Sequence, residues 1–257
     1  MIRGYGQIIG RKKKYYCRFI TNERVAWQRL IDHLKERVYM NTDAYKIRDL
    51  CRRNIVKYTL KAFSTIPGID GASVLDMGCG TGESSMALLE VCHCRIVAVD
   101  PDMECVSILD EKVEKSIFAE RIKVVHGSAF DKDLLCDKFD IVLAEGLLNI
   151  IGFETGLGLL LKHLKRSGYL IIHDQLESDA EKRELFKKHA LKIIYTMELD
   201  ENIWWNEYYG CLERSISTMT AATCIDELNE INEYKINPEK CKSIIYVLTH
   251  EMPATTR

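Results

Sequence analysis

The sequence predicts an α/β protein: a doubly wound, seven-stranded, mostly parallel sheet with an N-terminal helical cap. Three observations point there. Short runs rich in Val, Ile and Leu alternate with helix-length segments from residue 72 onward. Strands joined through helices need crossover connections, hence parallel pairing with helices on both faces. The first of these strands runs into a glycine-dense turn, Asp76-Met77-Gly78-Cys79-Gly80-Thr81-Gly82, at the start of a helix, which is where such sheets hold ligands. Residues 1–60 carry 15 Lys and Arg against 5 Asp and Glu, and the rest of the chain carries 21 against 33. That asymmetry divides the chain into a basic part over 1–60, a body over 61–250 and a tail over 251–257.

In chain order, Trp27, Leu30, Ile31 and Leu34 keep the i, i+3, i+4, i+7 spacing of one helix face and predict a helix from Asn22 to Val38. A second helix is expected from about Asp43 to Phe63, closed by Pro67-Gly68. Strands are expected at 72–76, 95–99, 122–125, 139–143, 169–172, 191–195 and 243–248, each a short β-branched or apolar run. The intervening helices are expected at 83–91, at 103–118, and over a segment whose Leu157, Leu160, Leu161 and Leu164 mark one face. A further helix opens at Ser178, where Ser178 and Glu181 have the spacing of a capping box.

With 47% hydrophobic and 29% charged residues over 257 positions, the chain can bury a full core, which excludes disordered and collagenous classes. No apolar run approaches the roughly 20 residues that span a bilayer, so no membrane contact is expected. Basic residues near the N-terminus have no apolar stretch of signal-peptide length behind them, so a cytoplasmic location is expected. The ten Cys include no Cys-x-x-Cys pair. Cys92-His93-Cys94 alternates faces, and a metal site needs three or four converging ligands, so no metal is expected. The basic part has two readings. It is either a helical cap docked on the acidic body or a grip for an anionic partner such as RNA. The absence of aromatics interleaved with the charge favours the cap.

The glycine turn excludes two common ligands. A dinucleotide fingerprint would need Gly where Glu83 stands, or Gly or Ala where Ser85 stands, and no Gly-Lys-Ser/Thr follows to make a nucleotide phosphate loop. Asp76 at the strand end repels a pyrophosphate and suits a cofactor bearing an ammonium and a sulfonium. On these residues the chain resembles the class I S-adenosylmethionine-dependent methyltransferases, whose first motif is an acidic residue followed by Gly-x-Gly-x-Gly. The resemblance covers roughly residues 61–250 and implies a Rossmann-like methyltransferase fold with S-adenosyl-L-methionine as cofactor. It implies cofactor contacts at Asp76, Gly78, Cys79, Gly80 and Thr81. Asp100 and Pro101, after the second strand, match the ribose-binding position. Ser128, Ala129 and Phe130, after the third, match the loop against which adenine packs, and Ala144 and Glu145, after the fourth, match the motif beside the sulfonium. The segment Leu143 to Leu157, with Glu145-Gly146, Asn149-Ile150 and Gly152-Phe153-Glu154, and the segment Leu199 to Tyr209 resemble those of a small-molecule-type group of these enzymes.

The acceptor is less legible. The Asp/Asn-Pro-Pro-aromatic signature of nucleic-acid amino-methylases is replaced by Ala144-Glu145-Gly146-Leu147, and no Pro-Cys nucleophile is present. The expected reaction is therefore methyl transfer to oxygen, nitrogen or sulfur of a small molecule. Two alternatives are an RNA methyltransferase using the basic N-terminal part and a cofactor-binding regulatory protein without catalysis. Glu145 is a candidate base or substrate ligand, and His173, at the end of the fifth strand with Asp174, is a candidate proton acceptor. Trp204, Trp205, Tyr208 and Tyr209 wall a substrate pocket or belong to a packed helix. The sequence indicates no oligomeric state.

Overall fold

The computed structural model describes residues 44–131, 137–217 and 224–251. The helix expected at Asn22–Val38 lies outside these, as does nearly all of the 251–257 tail. By contacts the chain divides into two compact units, Met1–Lys46 and Ile47–Arg257, and everything below concerns the second. The helix over 44–63, here α1, runs straight through the boundary expected at 60–61.

Seven strands form one sheet. They are β1 (Ser73–Met77), β2 (Arg95–Asp100), β3 (Ile122–His126), β4 (Phe139–Glu145), β5 (Leu164–Gln175), β6 (Leu191–Leu199) and β7 (Ser243–His250), in the order β3-β2-β1-β4-β5-β7-β6. The pairings from β3 through β5 are parallel, and β7 pairs antiparallel with both β5 and β6. The strand order reverses beside β1, so the crevice between the carboxyl ends of β1 and β4 is the natural ligand site.

Helices cover both faces. Alternate strand residues Val74, Ile141, Leu143, Ile171, Ile245 and Val247 pack with Ala62 and Phe63 of α1, with α2 (Glu83–Val91) and with α3 (Met103–Glu114). The intervening residues Leu75, Val142, Ala144, Leu170, Ile172 and Tyr246 pack against α4 (Leu148–Ile151), α5 (Phe153–Lys162) and α6 (Asp179–Lys188). A third cluster joins Cys51 of α1 to the connection between β6 and β7. That connection contains α7 (Glu201–Trp204), a π-helical turn (Trp205–Tyr209), α8 (Gly210–Ile216), α9 (Ile225–Ile236) and a 3₁₀ turn (Pro238–Cys241).

Two local expectations are corrected. Leu164 shares the helical spacing of Leu157, Leu160 and Leu161, but α5 ends at Lys162 and Leu164 opens β5, paired with Phe139. One apolar residue beyond a helix end can continue its face by chance of spacing. Ser178 is not a capping box: it adopts a left-handed φ of 60° and its side chain makes no cap bond.

Candidate active site

The glycine loop is held from below and from both sides. The N–H groups of Gly78 and Cys79 both donate to the Val99 carbonyl, at 2.8 and 3.0 Å. Gly78, Gly80 and Gly82 all have positive φ. At Gly82 a Cβ would stand 2.3 Å from Leu109 Cδ1, so α3 approaches as closely as it does only because that side chain is absent. Thr81 does not turn its hydroxyl outward. It donates to Asp49 of α1, whose other oxygen receives Lys112 Nζ at 2.7 Å. Lys112 also donates to the Thr81 carbonyl at 2.8 Å and to Glu83 at 2.6 Å, and Arg53 donates to Glu83 at 2.8 Å. This chain of charges fastens α1 and α3 to the loop.

Asp100 is the joint between loops. Its Oδ2 accepts Gly80 N–H at 2.7 Å, its Oδ1 accepts Asp102 N–H at 2.9 Å, and its carbonyl accepts Gly127 N–H at 3.0 Å. Each carboxylate oxygen keeps a lone pair for a further donor, so the residue can receive a ribose diol without giving up its structural bonds. Pro101 is exposed, and its carbonyl accepts His126 Nε2 at 3.0 Å. After β3, Ser128 N–H donates to Asp131 at 2.8 Å, and Phe130 is half exposed, as is Met103 after β2. Sequence reasoning named Phe130 and passed over Met103. The two, one opening α3 and the other on the loop after β3, are apolar surfaces of the kind a purine ring covers. Ala144 is fully buried among the side chains of the opposite face, so it can reach this site only through its backbone.

Asp76, Glu145 and His173 share one face of the sheet. Glu145 and His173 are register partners on β4 and β5, which places their side chains together. Asp174, next along the strand, pairs with Lys182 at 3.0 Å and, like His173, lines the cavity described below. Asp76 is buried and accepts Ser85 Oγ at 2.6 Å. Burial, with the neighbouring charges of Glu145 and Asp100, pushes its carboxyl up to about 7. Burial pushes Glu145 the same way, but His173, Ser84 and Thr59 outweigh it and hold this carboxyl below its ordinary value. Its Oε1 accepts Thr59 Oγ1 at 2.5 Å, and its Oε2 accepts Ser84 Oγ. His173 Nδ1 lies 3.4 Å from Glu145 Oε1, and its Nε2 lies 2.9 Å from Ser243 Oγ, which also receives Trp204 Nε1 at 3.0 Å. With the Trp204 N–H donating to Ser243, the Ser243 hydroxyl hydrogen can go to His173 Nε2, and Nδ1 then carries its proton toward Glu145.

These residues open on a cavity of about 770 Å³. Asp76, Gly78, Cys79, Glu145 and Gly146 line it at the glycine loop and the end of β4, and Trp204, Tyr208, Tyr209, Glu230 and Glu233 are among its other walls. The π-helical turn explains the aromatic wall, since a turn one residue wider brings both Tyr208 and Tyr209 beneath Trp204, with ring centres 5.9 and 6.0 Å away. Trp205 falls outside the lining and stacks on Tyr234 at 5.3 Å. The two readings of this segment therefore meet: Tyr208 and Tyr209 are packed in the third cluster and also face the cavity. Arg52, missed in the sequence, lines the cavity with a guanidinium nitrogen 3.5 Å from where a Gly80 Cβ would be. Its helical spacing gave no sign, because the partner is a loop 28 residues away.

Residues 74–168 match a family described as a methyltransferase domain. Over 145 residues the chain is 31% identical to a ribosomal protein L11 methyltransferase of Desulforamulus reducens, covering 56% of this chain and 44% of that one. The chain spans about half the length of the curated relatives it matches. A methyltransferase of Geobacter sulfurreducens, S-adenosylmethionine-dependent and crystallised with S-adenosyl-L-homocysteine, superposes with a TM-score of 0.59 at 18% identity, covering 76% of this chain and 90% of that one. A putative sarcosine dimethylglycine methyltransferase of Galdieria sulphuraria gives 0.66 at 14%, covering 77% and 85%. The sheet order and the glycine loop give this chain the fold of the S-adenosylmethionine-dependent methyltransferase it superposes on, and residues 74–168 carry the match to a methyltransferase domain.

Proposed function

We propose that this chain transfers the methyl group of S-adenosyl-L-methionine to a small-molecule acceptor. The observation that carries this is the cavity: about 770 Å³, open to the glycine loop at one end and walled by α1, the π-helical turn and α9 at the other, a volume in the range of small-molecule sites. The residues around the loop fit the cofactor. Asp100 receives the ribose, Phe130 and Met103 flank adenine, and Asp76 and Glu145 face the cationic end, while Arg52 above Gly80 takes the methionine carboxylate. When bound, the cofactor supplies a methyl group on a positively charged sulfur. The chain's part is to place the acceptor in line with it, exclude water and receive a proton. Glu145, kept ionised and oriented by Thr59, Ser84 and His173, is the group placed to do the last.

The described part of the basic region does not favour the RNA alternative. Of the four basic residues between 47 and 60, three are paired within the chain, Arg48 with Glu227 and Glu230, Arg53 with Glu83, and Lys57 with Glu207, and the fourth, Arg52, lies over the glycine loop. Cations spent on the chain's own carboxylates do not make a phosphate grip. Incubation of the full chain with methyl-labelled cofactor and cell extract, with parallel nuclease and protease treatment, tests the proposal. Label in the low-mass fraction that survives both treatments is expected. Label confined to RNA or to protein would overturn it.

A further inference from the structure

The lining of the cavity restricts the acceptor's chemistry. Glu145 and His173 face its reacting end, and Trp204, Tyr208, Tyr209, Glu230 and Glu233 stand among its walls. Glu230 is paired with Arg48 at 2.9 Å, but no Lys or Arg pairs with Glu145 or Glu233 among the described residues. The Lys and Arg residues of the lining are Arg52, over the glycine loop, and Lys240, which like Glu233 is exposed. Neither is bonded to Glu145 or His173 among the described residues.

A nucleophile that reacts as an anion, such as an alkoxide, a phenolate or a thiolate, would have to form in a cavity end that also holds Glu145, Glu230 and Glu233, where Arg48 on Glu230 is the one Lys or Arg paired with these carboxylates among the described residues. Like charges at such distances disfavour the ionised form. An amine has the opposite requirement. It enters as an ammonium, attracted by carboxylates and by aromatic faces, and reacts as the neutral base. We propose, resting on the methyltransferase reading above, that the acceptor is a small amine, held as its ammonium between the Trp204–Tyr208–Tyr209 wall and the carboxylates of Glu145 and Glu233, and methylated on nitrogen. The ammonium first gives one proton to the Glu145–His173 pair. The freed nitrogen lone pair then forms the new C–N bond as the C–S bond breaks, and that electron pair stays on sulfur, which becomes a neutral thioether. The product is an alkylammonium, and the proton on the Glu145–His173 pair leaves to solvent.

The test is calorimetric titration of the full chain saturated with S-adenosyl-L-homocysteine, using benzyltrimethylammonium, benzyl alcohol and phenylacetate as probes of one size and three charges. The ammonium is expected to bind about tenfold tighter than either of the others, the scale of a desolvated cation–π contact. Glu233→Gln should weaken the ammonium about two- to fivefold and leave homocysteine-cofactor affinity unchanged. Equal or tighter binding of benzyl alcohol or phenylacetate would overturn the amine assignment. So would absence of ammonium binding at millimolar concentration, or a Glu233→Gln variant with unchanged preference. Failure of S-adenosyl-L-homocysteine itself to bind is a separate result and sinks the methyltransferase reading instead.

Discussion

Asp76 and Glu145 are two carboxyl groups on one face of the sheet whose surroundings drive them in opposite directions. Asp76, raised to about 7, carries a proton in the folded chain over a pH range where an unfolded aspartate has lost it. The folded state then binds more protons, so this residue's contribution makes stability fall as pH rises from about 4 to 7. A cationic cofactor reverses the balance by favouring the ionised form. Binding of S-adenosyl-L-methionine at pH 6 should therefore release up to about one proton, and at pH 8 almost none. Calorimetry in buffers of different ionisation enthalpy measures this directly, and Asp76→Asn should remove the effect. Proton release that persists in that variant would assign it to another group. Asp100 makes a different demand, since its oxygens are already bonded to Gly80 and Asp102. Asp100→Ala should weaken S-adenosyl-L-homocysteine binding by about 1.5–3 kcal/mol, the range for hydrogen bonds to a charged group, while circular dichroism stays native. Wild-type affinity in the variant would mean that the ribose is bound elsewhere.

Among elements, the contact between the glycine loop and α3 is the least forgiving. Gly82 combines φ 78° with Leu109 methyl carbons at 2.3 and 2.8 Å from a hypothetical Cβ. Gly82→Ala should cost about 1–3 kcal/mol for the left-handed backbone alone, plus whatever Leu109 cannot concede. In a double-mutant cycle with Leu109→Ala the clash should disappear and the backbone cost remain, so the two losses should fall short of additive. Full additivity in urea unfolding would show that Leu109 moves aside freely. The same scale shows what the sequence revealed. β1, β4, β5 and β7 were legible because strands buried on both faces read as continuous apolar runs, and the glycine loop because glycine and acid types recur at strand ends. The cavity was not. Arg52, Thr59, Ser84, Glu230, Glu233 and Ser243 reach it from α1, α2, α9 and β7, and no local period connects residues so far apart in the chain. The π-helical turn was hidden as well, because its extra residue breaks the very spacing by which a helix is recognised.

At the level of the whole molecule the two main layers and the helical layer differ in what supports them. The sheet strands β1, β4, β5 and β7 are buried on both faces by the two large clusters. The third cluster, Cys51 with Tyr208, Tyr209, Leu212, Ile216, Ile231 and Tyr234, is smaller and borders the cavity on one side. Subglobal opening should therefore begin there, because local stability follows the apolar contacts that an opening must break. In hydrogen exchange of the free chain, amides of α8 and α9 should exchange by an opening well below the global free energy, and those of β1, β4 and β5 by global unfolding. S-adenosyl-L-homocysteine at a hundredfold excess over its Kd adds about 2.7 kcal/mol to the folded state. If α1 closes over the cofactor through Asp49 and Arg52, α1 and the glycine loop should gain most of that protection, and the amides of α9, which lines the acceptor end, should gain little. Protection of α9 equal to that of α1 would mean that cofactor alone closes the cavity, leaving the acceptor no independent part in ordering its own site.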